Sequence, residues 1–298
     1  MSQWKGKTRG GSTGYAIFIF LIKHCGVKAA YALLWLVVPY FVVFAPSATH
    51  SSLRYWRRIH KEGVFKSFCR LFQHYYRFGQ VIIDKVATSS GLESKYTFEF
   101  DGVDEMESVL KSDKGAIMIG AHFGNWEVSR VFMKEFGKKI NVVMLDAEYE
   151  KIKEKLEDVM GQRTFGVIPV SKDNIDHIFA INTALNSGEF VCFQGDRYLN
   201  DERVENVNFL GEKAGFPVGP YQLGAKMGVD VFFFFVVRQN GMKYRISAVK
   251  ASKYLEADRK GRQSALLGEY LEVLESQVNN NPEQWFNFYD FWNFSKKQ

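Results

Sequence analysis

Cysteine is scarce in this sequence, and its three copies, Cys25, Cys69 and Cys192, lie far apart. That spacing excludes a disulfide framework and a thiolate metal site, and it fits free thiols in a reducing compartment. The six histidines show no ligand spacing either, so no metal is expected. A phosphate-binding loop is also missing, because Gly10-Gly-Ser-Thr-Gly14 has neither a strand before it nor Lys-Ser/Thr after it. Internal repeats are absent. Acidic residues are in deficit: 39 Lys and Arg face 33 Asp and Glu, for a net charge of +6. The balance suits an anionic partner, whether nucleic acid, phosphorylated substrate, acidic carrier protein or acidic lipid. What the chain has in plenty is aromatic residues, with 27 Phe, 14 Tyr and 6 Trp. Its 298 residues can bury a sizeable core as one large α/β domain or two small ones. A mean hydropathy of −0.19 argues against a polytopic membrane protein.

Residues 1–14 are basic and rich in Gly, Ser and Thr, and read as a tail. Residues 15–46 read as a hydrophobic membrane anchor, a helix or hairpin, and 47–298 as the soluble domain. Within the anchor, Tyr15 to Ile22 is apolar, Lys23, His24 and Lys28 interrupt, and Ala29 to Ala45 runs without a charge. That second run falls just short of the roughly 20 residues a spanning helix needs. Two apolar blocks and a weak cleavage site at Ser47-Ala-Thr-His50 fit a signal peptide poorly. Basic residues on both flanks suit a hairpin or an in-plane anchor with both ends in the cytoplasm. A buried core helix is the alternative. From Leu53 to Val86, aromatic and aliphatic residues recur at helical spacing with Arg and Lys between them. Such a stripe suits either an anionic membrane surface or, more commonly, packing against the catalytic domain.

Beyond Tyr96, short apolar runs alternate with helical patterns. Strands are expected at Tyr96–Asp101, Ala116–Ala121, Ile140–Leu145, Gly166–Val170, Glu189–Phe193, Val229–Val237 and Tyr244–Val249. Helices are expected at Val103–Lys111, Trp126–Phe136, Tyr149–Met160, Ile175–Ser187, Gly219–Met227 and Gly261–Val278. Alternation of this kind predicts the α/β class, with a mixed, partly parallel sheet flanked by helices in a single domain. His122 emerges where the strand from Ala116 ends, the edge at which open α/β sheets bind ligands. Phe123-Gly124-Asn125 is turn chemistry, with Asn125 as N-cap, and Glu127 falls in the first turn of the next helix. A carboxylate there can accept one imidazole N–H and leave the other nitrogen free to take a proton.

His122-Phe-Gly-Asn-Trp-Glu127 resembles the His-x-x-x-x-Asp/Glu signature of the lysophospholipid acyltransferase superfamily. Its particular form is similar to the late acyltransferases of bacterial lipid A biosynthesis. Further matches follow in order: Arg163-Thr-Phe-Gly166, Gly188 to Asp196, Val207 to Gly211 as a bulky-apolar loop, Pro217 to Ala225, and Pro282-Glu-Gln-Trp285. The resemblance covers roughly Leu53 to the C-terminus and implies a glycerol-3-phosphate acyltransferase-like fold. It implies His122 and Glu127 as a catalytic dyad, with Phe123, Gly124, Asn125, Trp126, Arg163, Asp196 and Arg197 around the substrates.

The implied reaction moves a fatty acyl chain from a thioester, acyl carrier protein before coenzyme A, to a lipid hydroxyl at the cytoplasmic face of a bacterial inner membrane. No cofactor beyond the acyl donor is implied, and nucleic acid is not an expected partner. Backbone N–H groups of Gly124 to Trp126 are the expected oxyanion donors. Arg163 suits a phosphate, and Asp196 could orient Arg163, Arg197 or an acceptor hydroxyl. Simpler readings stay beside these: a core histidine, a helix-dipole acid at Glu127, a surface role for Arg163 and a local turn pair at Asp196-Arg197. Cys192 lies mid-strand and reads as core. One departure stands out: Asn287, Tyr289 and Asp290 occupy positions where the lipid A enzymes carry Trp and basic residues. The acceptor is therefore a lipid A precursor or, alternatively, an aminolipid, another glycolipid or a polyene pigment. A non-catalytic lipid-binding scaffold with the same fold is the reading from another class.

Overall fold

The computed structural model describes residues 12–129, 136–145, 165–170, 175–198 and 203–292. The expected tail to residue 11, the helix at Tyr149–Met160 and Arg163 lie outside them. The chain divides into two compact units, one formed by residues 1–95, 206–215 and 281–298, the other by 96–205 and 216–280.

The second unit carries the α/β sheet. Its strands are β1 (Thr97–Asp101), β2 (Ala116–Gly120), β3 (Ile140–Leu145), β4 (Gly166–Val170), β5 (Phe190–Gln194), β8 (Asp230–Arg238) and β9 (Lys243–Lys250), in spatial order β1-β9-β8-β2-β5-β3-β4. Pairs from β8 to β4 are parallel, β8–β9 is antiparallel, and β1 runs parallel with β9. The mixed, mostly parallel sheet matches the expectation. Its central strands read as continuous apolar runs because parallel strands are covered on both faces. Phe232 to Phe235 of β8 and Ala116 to Ile119 of β2 are all buried. Pro169 sits in β4, an edge strand, where its missing N–H costs no ladder bond.

Helices α5 (Asp104–Leu110), α6 (Asp176–Asn186), α7 (Gly219–Lys226) and α8 (Arg262–Asn280) belong to the same unit. On α8 the buried Leu266, Tyr270, Leu274 and Val278 recur every four residues, one face of a helix. In place of the start of a longer helix, Trp126–Ser129 forms a single 3-10 turn; residues 130–135 are not described.

The first unit holds α1 (Ser12–His24), α2 (Val27–Phe44), α3 (Pro46–Arg54), a π-turn at Tyr55–Ile59 and α4 (Val64–Ser89). Lys61, with φ of +53°, separates that turn from α4, so the amphipathic stretch from Leu53 is two helices rather than one. Helix α2 is long and apolar enough to cross a membrane, and only 22% of it is buried, which does not fit the core-helix alternative. Val207 to Gly211, expected as a loop, instead falls mostly within strand β6 (Val204–Phe209), which pairs with β7 (Glu212–Pro217). Leu210 and Gly211 both have positive φ, at 52° and 82°, as a two-residue hairpin turn with the twist of its strands requires.

Residues 281–292 are core material of this unit. Trp292 stacks on Tyr55 and Phe209 while Trp285 meets both edge-on, at centroid separations of 5.4 to 6.4 Å. Asp290 lies 3.7 Å from Arg54, and Asn287 is buried. The segment that departs from the expected basic pattern thus packs within this unit, and both polar side-chain atoms of Asn287 are buried without a hydrogen-bond partner among the described residues. At its centre His74 has Ser52 Oγ 2.8 Å from Nδ1 and the Trp285 carbonyl 3.0 Å from Nε2. Burial, partly offset by that carbonyl, lowers its pKa from 6.5 to about 4. The unfolded chain thus takes up a proton that the folded one refuses. Stability is complete above pH 6.5 and declines as pH falls towards about 4. Urea unfolding is expected to lose about 2 kcal/mol between pH 7 and pH 5. A His74→Gln variant with the same slope would refute that assignment.

Candidate active site

The register of two strands builds the site. Strands β2 and β5 pair in parallel with Gly120 opposite Gln194, so the residues two beyond each, His122 and Asp196, leave the sheet side by side. The Gly195 N–H donates to the Gly120 carbonyl at 2.9 Å and carries the pairing past the strand ends. Asp196 is fully buried. Its carboxylate accepts the backbone N–H of His122, with the two oxygens 3.0 and 3.1 Å away, and Oδ1 lies 2.8 Å from Nδ1 of the ring. A carboxylate only accepts, so Nδ1 carries the proton and Nε2 holds the lone pair. The His122 side chain keeps 32% of its surface exposed.

The carboxylate on Nδ1 was expected to be Glu127, five residues along; the structure places Asp196 there, 74 residues away. Glu127 instead lines a cavity of about 30 Å³ on the sheet face, with Trp126, Phe165, Met118, Cys192 and Gln194. That volume suits a water or two. Within it the Gln194 Oε1 is buried and has no hydrogen-bond partner among the described residues. Cys192 is half-buried on the cavity wall, and burial pushes its thiol up.

The turn after His122 is held tightly. Gly124 has φ of +63° and bridges to Val236, where an added Cβ would lie 2.0 Å from the Val236 oxygen. Asn125 donates its backbone N–H to that same oxygen at 2.8 Å. This corrects one expectation, because the Asn125 amide is spent on β8 and does not face an oxyanion. Its side-chain Nδ2 lies 3.3 Å from the Tyr244 hydroxyl. Phe123 is buried edge-on against Phe235, and Trp126 meets Phe165 at 5.7 Å between ring centroids. Arg197 follows Asp196 and is half-buried.

Two supporting residues have no local sequence signal. The Tyr270 hydroxyl donates to the Gly120 carbonyl at 2.9 Å, and the Tyr221 hydroxyl donates to the Gly195 carbonyl at 2.8 Å. The Gly195 carbonyl immediately precedes Asp196, and the Gly120 carbonyl lies one peptide before the one that enters His122. Burial first, and then neighbouring charge including Asp196, push both hydroxyls well above the usual phenol range. Both therefore remain donors. A partly exposed imidazole oriented by a buried carboxylate, with the lone pair on its second nitrogen, is equipped to take a proton from a hydroxyl or thiol.

The sequence model of a family described as bacterial lipid A biosynthesis acyltransferase matches residues 71–293. A phosphatidylinositol mannoside acyltransferase of Mycobacterium tuberculosis is 26% identical over 127 residues, 43% of this chain and 40% of the relative. Another protein of that name, from Mycolicibacterium smegmatis, is 23% identical over 130 residues, 44% of this chain and 42% of its own. The match thus spans about two fifths of the length of these curated relatives.

Proposed function

We propose that this protein, which belongs to the bacterial lipid A biosynthesis acyltransferase family, moves a fatty acyl chain from a thioester to a hydroxyl of a membrane lipid. The observation that carries this reading is the pairing of His122 Nδ1 with buried Asp196 at 2.8 Å. Nε2 accepts the proton of the acceptor hydroxyl as its oxygen attacks the thioester carbon. The tetrahedral intermediate collapses, the C–S bond breaks, and the imidazolium returns the proton to the departing thiolate. Base catalysis of this kind contributes roughly 10²–10⁴-fold. Asp196 holds the tautomer and offsets the imidazolium charge, as the acid of a hydrolase triad does. No enzyme nucleophile is required. Glu127, on the cavity wall, contributes to substrate placement, and Arg163 and Arg197 supply charge for a phosphate of donor or acceptor.

The +6 net charge supports an acidic acyl carrier protein as donor, with acyl coenzyme A as the alternative. Apolar helix α2 supports attachment to a membrane, in this reading the inner membrane at its cytoplasmic face. For the acceptor, family membership favours a lipid A precursor. The mycobacterial relatives and the absence of basic residues at Asn287, Tyr289 and Asp290 favour a second reading, another glycolipid such as a phosphatidylinositol mannoside.

The test is transfer of labelled acyl chain from carrier protein or coenzyme A to lipid A precursor, phosphatidylinositol mannoside or total membrane lipid, read by mass spectrometry. Product from one defined acceptor identifies it. Absence of turnover with both donors on every acceptor overturns the enzyme reading in favour of a lipid-binding scaffold.

A further inference from the structure

Helix α2 does not stand alone. Its buried residues Val27, Ala30, Leu34 and Val38 recur at intervals of three and four, a single stripe. That stripe lies on α4. Leu34 approaches Gly79 so closely that an added Cβ would meet Leu34 Cδ2 at 2.7 Å. Val38 shares a buried cluster with Leu71 and Tyr75, and Trp35 and Tyr76 have ring centroids 5.2 Å apart. The Tyr31 hydroxyl donates to Asp84, and the Tyr76 hydroxyl donates to the Tyr31 carbonyl. Contacts running from Tyr31 at Asp84 to Val38 at Leu71 make the two helices antiparallel along most of α2.

The opposite stripe of α2 is apolar and exposed, from 50% at Tyr40 to 76% at Leu36, and it includes Val43 and Phe44, with Trp35 at its border beside Tyr76. A helix crossing the hydrocarbon would either carry α4 with it or part from it. Along the docked length α4 bears Arg70, Arg77, Asp84 and Lys85, and charged groups are costly in the bilayer interior. Parting would withdraw the Tyr31 hydroxyl from buried Asp84 and uncover Leu71. Neither suits a span. A bilayer surface suits both faces, since Trp and Tyr favour the headgroup level. Exposed Lys23 and Lys28 precede the apolar stripe, and exposed Lys61 lies near the exposed Phe65 of α4, whose neighbour Lys66 pairs with Glu62 at 2.6 Å.

Resting on the membrane attachment proposed above, we infer that α2 lies in the plane of an anionic bilayer surface. Its Trp35–Phe44 face enters the acyl-chain boundary and its other face stays on α4. The chain carries its own probes: Cys25, in the turn between α1 and α2, and Cys69, on α4, are both exposed. In the full-length protein, C69S/C192S keeps only Cys25 and C25S/C192S keeps only Cys69. Sealed inside-out vesicles from expressing cells are treated with a membrane-impermeant maleimide, before and after detergent. An in-plane α2 keeps both thiols on one side, so the labelled fractions before detergent should agree, with a ratio of about one. Labelling of Cys25 only after detergent, with Cys69 labelled before it, means that α2 crosses and overturns the inference while leaving attachment standing. A chain that does not sediment with the vesicles overturns both. Flotation of the purified chain with phosphatidylglycerol-containing vesicles should exceed that with neutral vesicles about tenfold, and equal binding overturns the anionic preference.

Discussion

Replacing Asp196 with asparagine is expected to lower kcat for acyl transfer about 10³–10⁴-fold with little change in KM. Asparagine is nearly isosteric, and its carbonyl oxygen can still accept the His122 backbone N–H that Asp196 accepts at 3.0 Å. Its amide nitrogen, however, donates towards Nδ1 of the ring. Nδ1 must then accept, the ring proton moves to Nε2, and Nε2 is no longer a base. His122→Ala should cost a similar factor, and the double variant little more, because the two groups act as a unit. Glu127→Gln separates the distant acid from the local one. With Asp196 on Nδ1, Glu127→Gln should lose less activity than Asp196→Asn. A larger loss at Glu127, with Asp196→Asn near wild type, would return the role of orienting acid to Glu127. Steady-state kinetics of the three variants, with circular dichroism to establish folding, decide the matter.

Gly124→Ala is expected to damage stability and catalysis together. The residue has φ of +63°, a region that a side chain occupies at a cost of about 1 kcal/mol. The added Cβ would also sit 2.0 Å from the Val236 oxygen, a backbone atom that a side-chain rotation cannot move away. Relieving such overlap typically costs another ~1–3 kcal/mol. Part of the relief must come from the turn itself, which joins His122 to the cavity-lining Trp126 and Glu127. A displacement of about 1 Å there can cost about 10²-fold in rate. Gly268→Ala, within α8 and with nothing inside 4 Å, is the control and should be neutral or slightly stabilising. Thermal unfolding and kcat/KM measured on both variants test the claim, and a wild-type profile for Gly124→Ala would refute it.

Much of the α/β unit was legible in the residues because the signals are local. Runs such as Ala116–Gly120 and the four phenylalanines of β8 announce buried strands, and the four-residue repeat from Leu266 to Val278 announces a helix face. His122 could be placed at a strand's carboxyl end for the same reason. The β6–β7 hairpin was not legible, since its turn uses Leu210 where a glycine or asparagine is the usual marker. The aromatic C-terminal element could be recognised as probable core material by composition alone, but its partners Tyr55, His74 and Phe209 could not.

The sequence by itself determined that a histidine would stand at the end of a buried strand with acids available to orient it. Which acid does so was decided only by the tertiary structure. Strand period and run length report what one segment buries, whereas the neighbours of β2 depend on how seven strands share their faces. Pairing of β2 with β5, Gly120 against Gln194, brought Asp196 to Nδ1 from 74 residues away. Tyr221 and Tyr270 then hold the backbone on either side of the pair, and they reach it from α7 and α8, helices with no sequence proximity to His122.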